Sequence, residues 1–103
     1  MRVDSIDMLV CALCLDYARR EEAIEKRAVS HRTEMEFRYY NFKIHAAVSE
    51  IVGEELALSF IDEIGNRTGY ANTKCAYLSE RSYKEQKRLV KENIARRLHL
   101  TDK

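Results

Sequence analysis

No proline interrupts the 103 residues of this chain, and only three glycines do. These are the two residue types that break helices, costing about 3 and 1 kcal/mol in a helix interior. Their scarcity predicts long uninterrupted helices rather than a turn-rich β fold. Hydrophobic residues make up 46% of the chain, enough to fold, and the length suits a single domain, residues 1–103.

Apolar residues recur at helical spacing along most of that length. In residues 4–29 the series is Ile6, Leu9, Val10, Leu13, Tyr17 and Ile24. Asp4 or Ser5 can cap the start. The second half of this segment, "ARREEAIEKR", is charged and predicts a solvated end. Asp16 with Arg20 and Glu22 with Lys26 stand four apart in the favourable order. Ser30 or Thr33 then punctuates the chain, and Thr33 with Glu36 fits a capping box. With no Gly or Pro before Gly53, residues 4–52 could also run as one helix.

Residues 34–52 are the most telling segment. Met35, Tyr39, Phe42 and Ala46 form one apolar strip, and Phe37, Tyr40, Ile44, Val48 and Ile51 form a second on the other side. Glu36, Lys43 and Glu50 fall between them, seven apart. A helix apolar on two faces needs neighbours on two sides. It is the central helix of a bundle or the seam of a dimer. Gly53 is a C-cap candidate. A short helix follows, with Leu56, Phe60 and Ile64 as its inward stripe and Gly65 at its end. Residues 65–73 read as a loop. The last helix is expected over about 73–99, capped by Asn72 or Thr73, with Cys75, Leu78, Leu89, Val90 and Ile94 on one face. Ser82 with Glu85 matches a second capping box, allowing a kink there. The fold class is all-α: an antiparallel bundle of three long helices and one short one.

Charge is uneven. Residues 1–70 carry 9 Lys and Arg against 13 Asp and Glu, whereas 71–103 carry 9 against 4. Arg81, Lys84, Lys87, Arg88 and Lys91 share one side of the last helix, with Tyr77 near them, and could meet phosphates. Glu80 lies within that row. A pairing of Glu80 with Lys84 and of Glu92 with Arg96 would make it an ordinary solvated surface. A helix-turn-helix needs a turn of about 3–4 residues, and the loop before the last helix is longer.

Cys11 and Cys14 form C-x-x-C. A reactive pair needs its first thiol at a helix N-terminus, whereas Cys11 sits nearly two turns inside, among Leu9, Val10, Ala12 and Leu13. A zinc site would need two more ligands, and Cys75, His31, His45 and His99 are isolated. The expected role is that of buried core thiols, and the same holds for Cys75. An odd cysteine count without a secretory pattern fits a cytosolic protein with free thiols. The apolar run at 8–15 is far too short to span a bilayer. No Gly-rich phosphate loop, G-x-S-x-G or H-E-x-x-H occurs, so neither an enzyme nor a cofactor is expected.

Two functions follow. The first is a small non-enzymatic regulatory or adaptor module that binds protein and forms a homodimer, with Phe37, Tyr39, Tyr40 and Ile44 in the interface. The alternative is a nucleic-acid-binding regulator using Arg81, Lys84, Lys87, Arg88 and Lys91.

Overall fold

A computed structural model describes residues 3–75 and 78–100, the first two of these by backbone alone. Five α-helices follow in order: α1 (Val3–Leu15), α2 (Tyr17–Glu25), α3 (His31–Val52), α4 (Glu54–Gly65) and α5 (Glu80–Arg97), with one 3-10 turn at Tyr70–Asn72. The fold is all-α, and no strand occurs among the described residues.

α1 and α3 each pack against both α4 and α5, and α2 lies along α3. The four longer helices thus close around one core, filled by Val10, Ile44, Val48, Phe60, Ile64 and Ile94, all fully buried. Each such side chain contributes roughly 1.5–3 kcal/mol of transfer free energy. The apolar stripe of α5 behaves as its spacing predicts, with Val90 and Ile94 inside.

The expected first helix is two helices, interrupted at Asp16. Arg20 explains the difference. Its side chain does not pair with Asp16 in water but turns inward and is buried. The guanidinium donates through Nη2 to the Leu13 carbonyl at 2.5 Å and through Nε to Asn41 Oδ1 at 2.6 Å. Asn41 Nδ2 in turn donates to the Tyr17 carbonyl and to Glu21. This bridge joins the end of α1, the start of α2 and the middle of α3. Asp16 pairs with Arg19 instead, while Glu22 and Lys26 pair as expected.

Capping follows the sequence in two places. Ser30 starts α3, its hydroxyl accepting the Thr33 amide, and Gly53 ends it at φ 88°. Elsewhere the chain departs from it. Gly65 does not terminate α4 through a left-handed turn. It is the last helical residue and lies buried against α1, where a Cβ would stand 2.6 Å from the Leu15 nitrogen. The left-handed residue is Arg67, at φ 55°. Its amide bonds to the Ile64 carbonyl and that of Thr68 to Glu63, the double closure of a Schellman motif. α2 ends the same way at Arg27 and α5 at His99.

The last helix starts at Glu80, capped by Ser79, rather than near Thr73. Cys75 and Leu78 therefore precede the helix, and Ser82 lies in its first turn. Thr73 does not start the helix: its hydroxyl donates to Glu63 Oε1 at 2.5 Å and accepts the Cys75 amide at 2.9 Å, closing a local turn instead.

Candidate interaction surface

α3 is not enclosed on both flanks. Its inner strip is covered by the chain itself, with Asn41, Ile44, Ala47 and Val48 buried. Its outer strip is bare: Met35 is 56% exposed, Tyr39 47% and Phe42 71%. These three stand at i, i+4 and i+7, which places them in one row on a helix. Tyr40 sits at the edge of the row, 5.6 Å from Tyr39 in an edge-to-face arrangement, and faces the Arg20 guanidinium at 6.0 Å. Lys43 Nζ lies 5.7 Å from the centre of the Tyr39 ring.

Of the four residues expected in a protein interface, Tyr39 and Tyr40 therefore reach the surface and Phe37 is half-buried. Ile44 is wholly inside the chain's own core and drops out of the set. Met35 and Phe42 take its place. Their spacing in the outer strip was visible in the sequence, but which strip faced inward was not.

The basic row on α5 is largely engaged within the chain. Lys84 pairs with Glu80 at 2.7 Å and Lys91 with Asp7 on α1 at 3.0 Å. Arg88 bridges Glu85 and Glu92, so Glu92 serves Arg88 rather than Arg96. Lys87 donates to the Thr68 carbonyl at 2.7 Å and lies over the Tyr83 ring. Arg81 alone of the five makes neither an ion pair nor a hydrogen bond through its side chain among the described residues. Tyr77 lies outside the described residues. A groove of about 710 Å³ runs between α1 and α5, its floor formed by Ile6, Val10 and Ala95 and its rim by Lys84, Lys87, Arg88 and Lys91.

Sequence reasoning missed Glu63. It is buried at the centre of a polar cluster that pins Thr68, Thr73 and Lys74 to α4 and α5. Its carboxylate accepts Thr73 Oγ1 and Tyr83 Oη, both at 2.5 Å, and the Lys74 amide at 2.9 Å. Burial pushes its pKa up, but these hydrogen bonds, with the charge of Lys87, hold it below the ordinary carboxylate value. Burial and the Glu63 hydrogen bond push Tyr83 up to about 12. The only sequence signal was an acid at an inward position of the short helix, two places from Ile61. A matching polar lock joins α3 to α5: Asn93 Nδ2 donates to the Ala47 carbonyl at 2.8 Å and to Glu50.

Cys11, Cys14 and Cys75 are buried and free. Burial, then the neighbouring Cys11, pushes Cys14 up to about 12, the opposite of what a nucleophilic thiol requires. No group of three His, Cys, Asp or Glu gathers among the described residues, and none of the described helices is long and apolar enough to cross a membrane.

No family model, curated protein or solved structure matches the chain.

Proposed function

We propose that this chain is a small non-enzymatic interaction module, homodimeric, that works by presenting the outer face of α3 to another protein surface. The observation that supports it is the row of Met35, Tyr39 and Phe42 left in water on a 22-residue helix. Aromatic residues and Met are the types enriched at the centres of protein interfaces. They stand on a helix whose other side is fixed by the core and by the Arg20–Asn41 and Asn93–Ala47 bridges, so the face is presented on a rigid support.

The nucleic-acid reading has less to support it. Four of the five cations on α5 already meet a carboxylate or a carbonyl of the same chain. Neutralising phosphates would mean exchanging those contacts, with little net gain in released counterions.

Sedimentation velocity across a concentration series tests the proposal. The wild-type chain is expected to pass from 12.1 kDa toward twice that mass with rising concentration, and Phe42→Asp to stay at the lower mass with unchanged helical circular dichroism. A wild-type protein that stays monomeric at high micromolar concentration would contradict it.

A further inference from the structure

We infer that the surface covering the outer strip of α3 is a second copy of α3 laid antiparallel, with Glu36 of each protomer opposite Lys43 of the partner subunit. The inference rests on the interaction function proposed above and adds the orientation and register.

Successive residues project about 100° apart around a helix. Tyr39 then lies in the middle of the exposed face. Met35 and Phe42 lie along one edge of it, and Glu36 and Lys43 along the other. Glu36 is exposed and Lys43 is half-exposed beside Tyr39. Two helices paired by a two-fold axis can run parallel or antiparallel, and the two arrangements match these edges differently.

In the parallel pair, the charged edge of one helix faces the apolar edge of the other. Glu36 and Lys43 would lose water opposite Met35 and Phe42 and gain no partner, an unfavourable exchange. In the antiparallel pair, each edge meets its own counterpart, run in the opposite direction. Glu36 and Lys43 are symmetric about the midpoint between residues 39 and 40, so reversal sets each acid against a base. The same reversal brings Met35 to Phe42 of the partner subunit, with a midpoint only one residue, about 1.5 Å, away. Tyr39 meets its counterpart near the axis, and Tyr40, about 100° further round the helix, borders the seam. The two ion pairs stand seven residues apart, about 10 Å, and bracket the aromatic centre. Charge pairs at such flanking positions set partner choice and orientation more than affinity.

A charge-swap experiment decides it. Glu36→Lys alone places Lys against Lys at both ends of the seam, and Lys43→Glu alone places Glu against Glu. Mixed in equal amounts, the two variants restore both pairs. Each variant alone is expected to self-associate at least about 10-fold more weakly than wild type. The mixture is expected to form predominantly the heterodimer by native mass spectrometry. The double variant Glu36→Lys/Lys43→Glu is expected to return to wild-type affinity. Both positions are surface-facing, and helical circular dichroism checks that each variant folds. If wild type and both single variants dimerise equally and the mixture is statistical, the antiparallel register is wrong while the α3 surface stands. If wild type dimerises and Phe42→Asp dimerises equally well, the α3 surface itself is wrong, and the register falls with it. If wild type is monomeric throughout, a second copy is not the partner.

Discussion

The outer faces of α3 and α5 each drew attention in the sequence, one as apolar and one as basic, and folding treats them in opposite ways. The cations of α5 find partners within the chain: Glu80, Glu85 and Glu92 on the same helix, Asp7 on α1 and the Thr68 carbonyl. Met35, Tyr39 and Phe42 of α3 stay exposed, and the ring contacts of Tyr39 are with Tyr40 and Lys43 of the same helix. The difference follows from the reach of the two interactions. A long charged side chain can bend to an acid one turn away, so a mixed charged helix satisfies itself locally. An apolar side chain can be removed from water only by another surface, and no described element covers Met35, Tyr39 and Phe42. A charged row in a sequence is therefore weaker ground for a binding site than an apolar row on a helix already anchored from behind.

The largest expected effect separates the two faces directly. Phe42→Asp should weaken self-association at least about 100-fold, because burying such a side chain is worth roughly 1.5–3 kcal/mol and a two-fold interface counts it twice. Thermal stability of the dissociated chain should change by less than about 0.5 kcal/mol, as for other surface positions. Fluorescence or sedimentation titration reads the first quantity and urea unfolding at low concentration the second.

On α5 the balance should reverse. Lys87→Ala removes a hydrogen bond to a loop carbonyl and a cation over an aromatic ring, together worth about 1–2 kcal/mol of fold stability. Self-association should be unaltered. If instead Lys87→Ala leaves urea unfolding unchanged, the row is freer than its contacts indicate.

The pH dependence of unfolding sharpens the same point, because Lys87 and Tyr83 belong to the Glu63 cluster. Glu63 is held below its ordinary value of 4.5 in the fold. The unfolded chain therefore binds the proton more readily, and the stability this group contributes is present above 4.5 and is lost as pH falls through the lowered folded value. Tyr83 behaves oppositely: raised from 10.0 to about 12, it contributes below 10 and loses that contribution as pH climbs toward 12. Glu63→Gln is expected to flatten the acid limb in a circular-dichroism melting series while leaving an alkaline limb. An acid limb of wild-type steepness in that variant would remove Glu63 from the account.

The smallest effect is expected at Arg81, which makes no ion pair among the described residues. Arg81→Ala should change stability by less than about 0.5 kcal/mol. Wild type should give no gel retardation of duplex DNA or RNA at micromolar protein in low salt. Retardation that Arg81→Ala weakened, lowering the salt slope by about one, would favour α5 as the functional face.

Helix class, the two-sided character of α3 and the caps at Ser30 and Gly53 were legible because each depends on residues within a turn or two. The features that were not legible depend on distant partners. Asp16 and Arg20 have the spacing of a surface pair, yet Arg20 turns toward Asn41, 21 residues on. Thr73 is a good cap by type, but it is tied to Glu63 and accepts the Cys75 amide in a local turn, and the helix starts only after Ser79. Gly65 ends α4 as its spacing suggested, but what requires a glycine there is the close approach of the α1 backbone. Among the interface candidates, Tyr39 fell in one apolar strip and Phe37, Tyr40 and Ile44 in the other, and only the fold shows that Tyr39 and Tyr40 reach the surface. Ile44 was misassigned because periodicity finds two strips without saying which one the rest of the chain covers.

The central claim is that the exposed strip of α3 is a seam between two copies. Isotope-filtered nuclear Overhauser spectroscopy on a mixture of labelled and unlabelled protomers tests it at the atoms involved. The account predicts contacts between protomers from the Met35 methyl to the Phe42 ring and among the Tyr39 and Tyr40 rings. Contacts between protomers through Met8, Leu9 and Leu15, the exposed large apolar residues of α1 among the described residues, with none at Phe42, would contradict it.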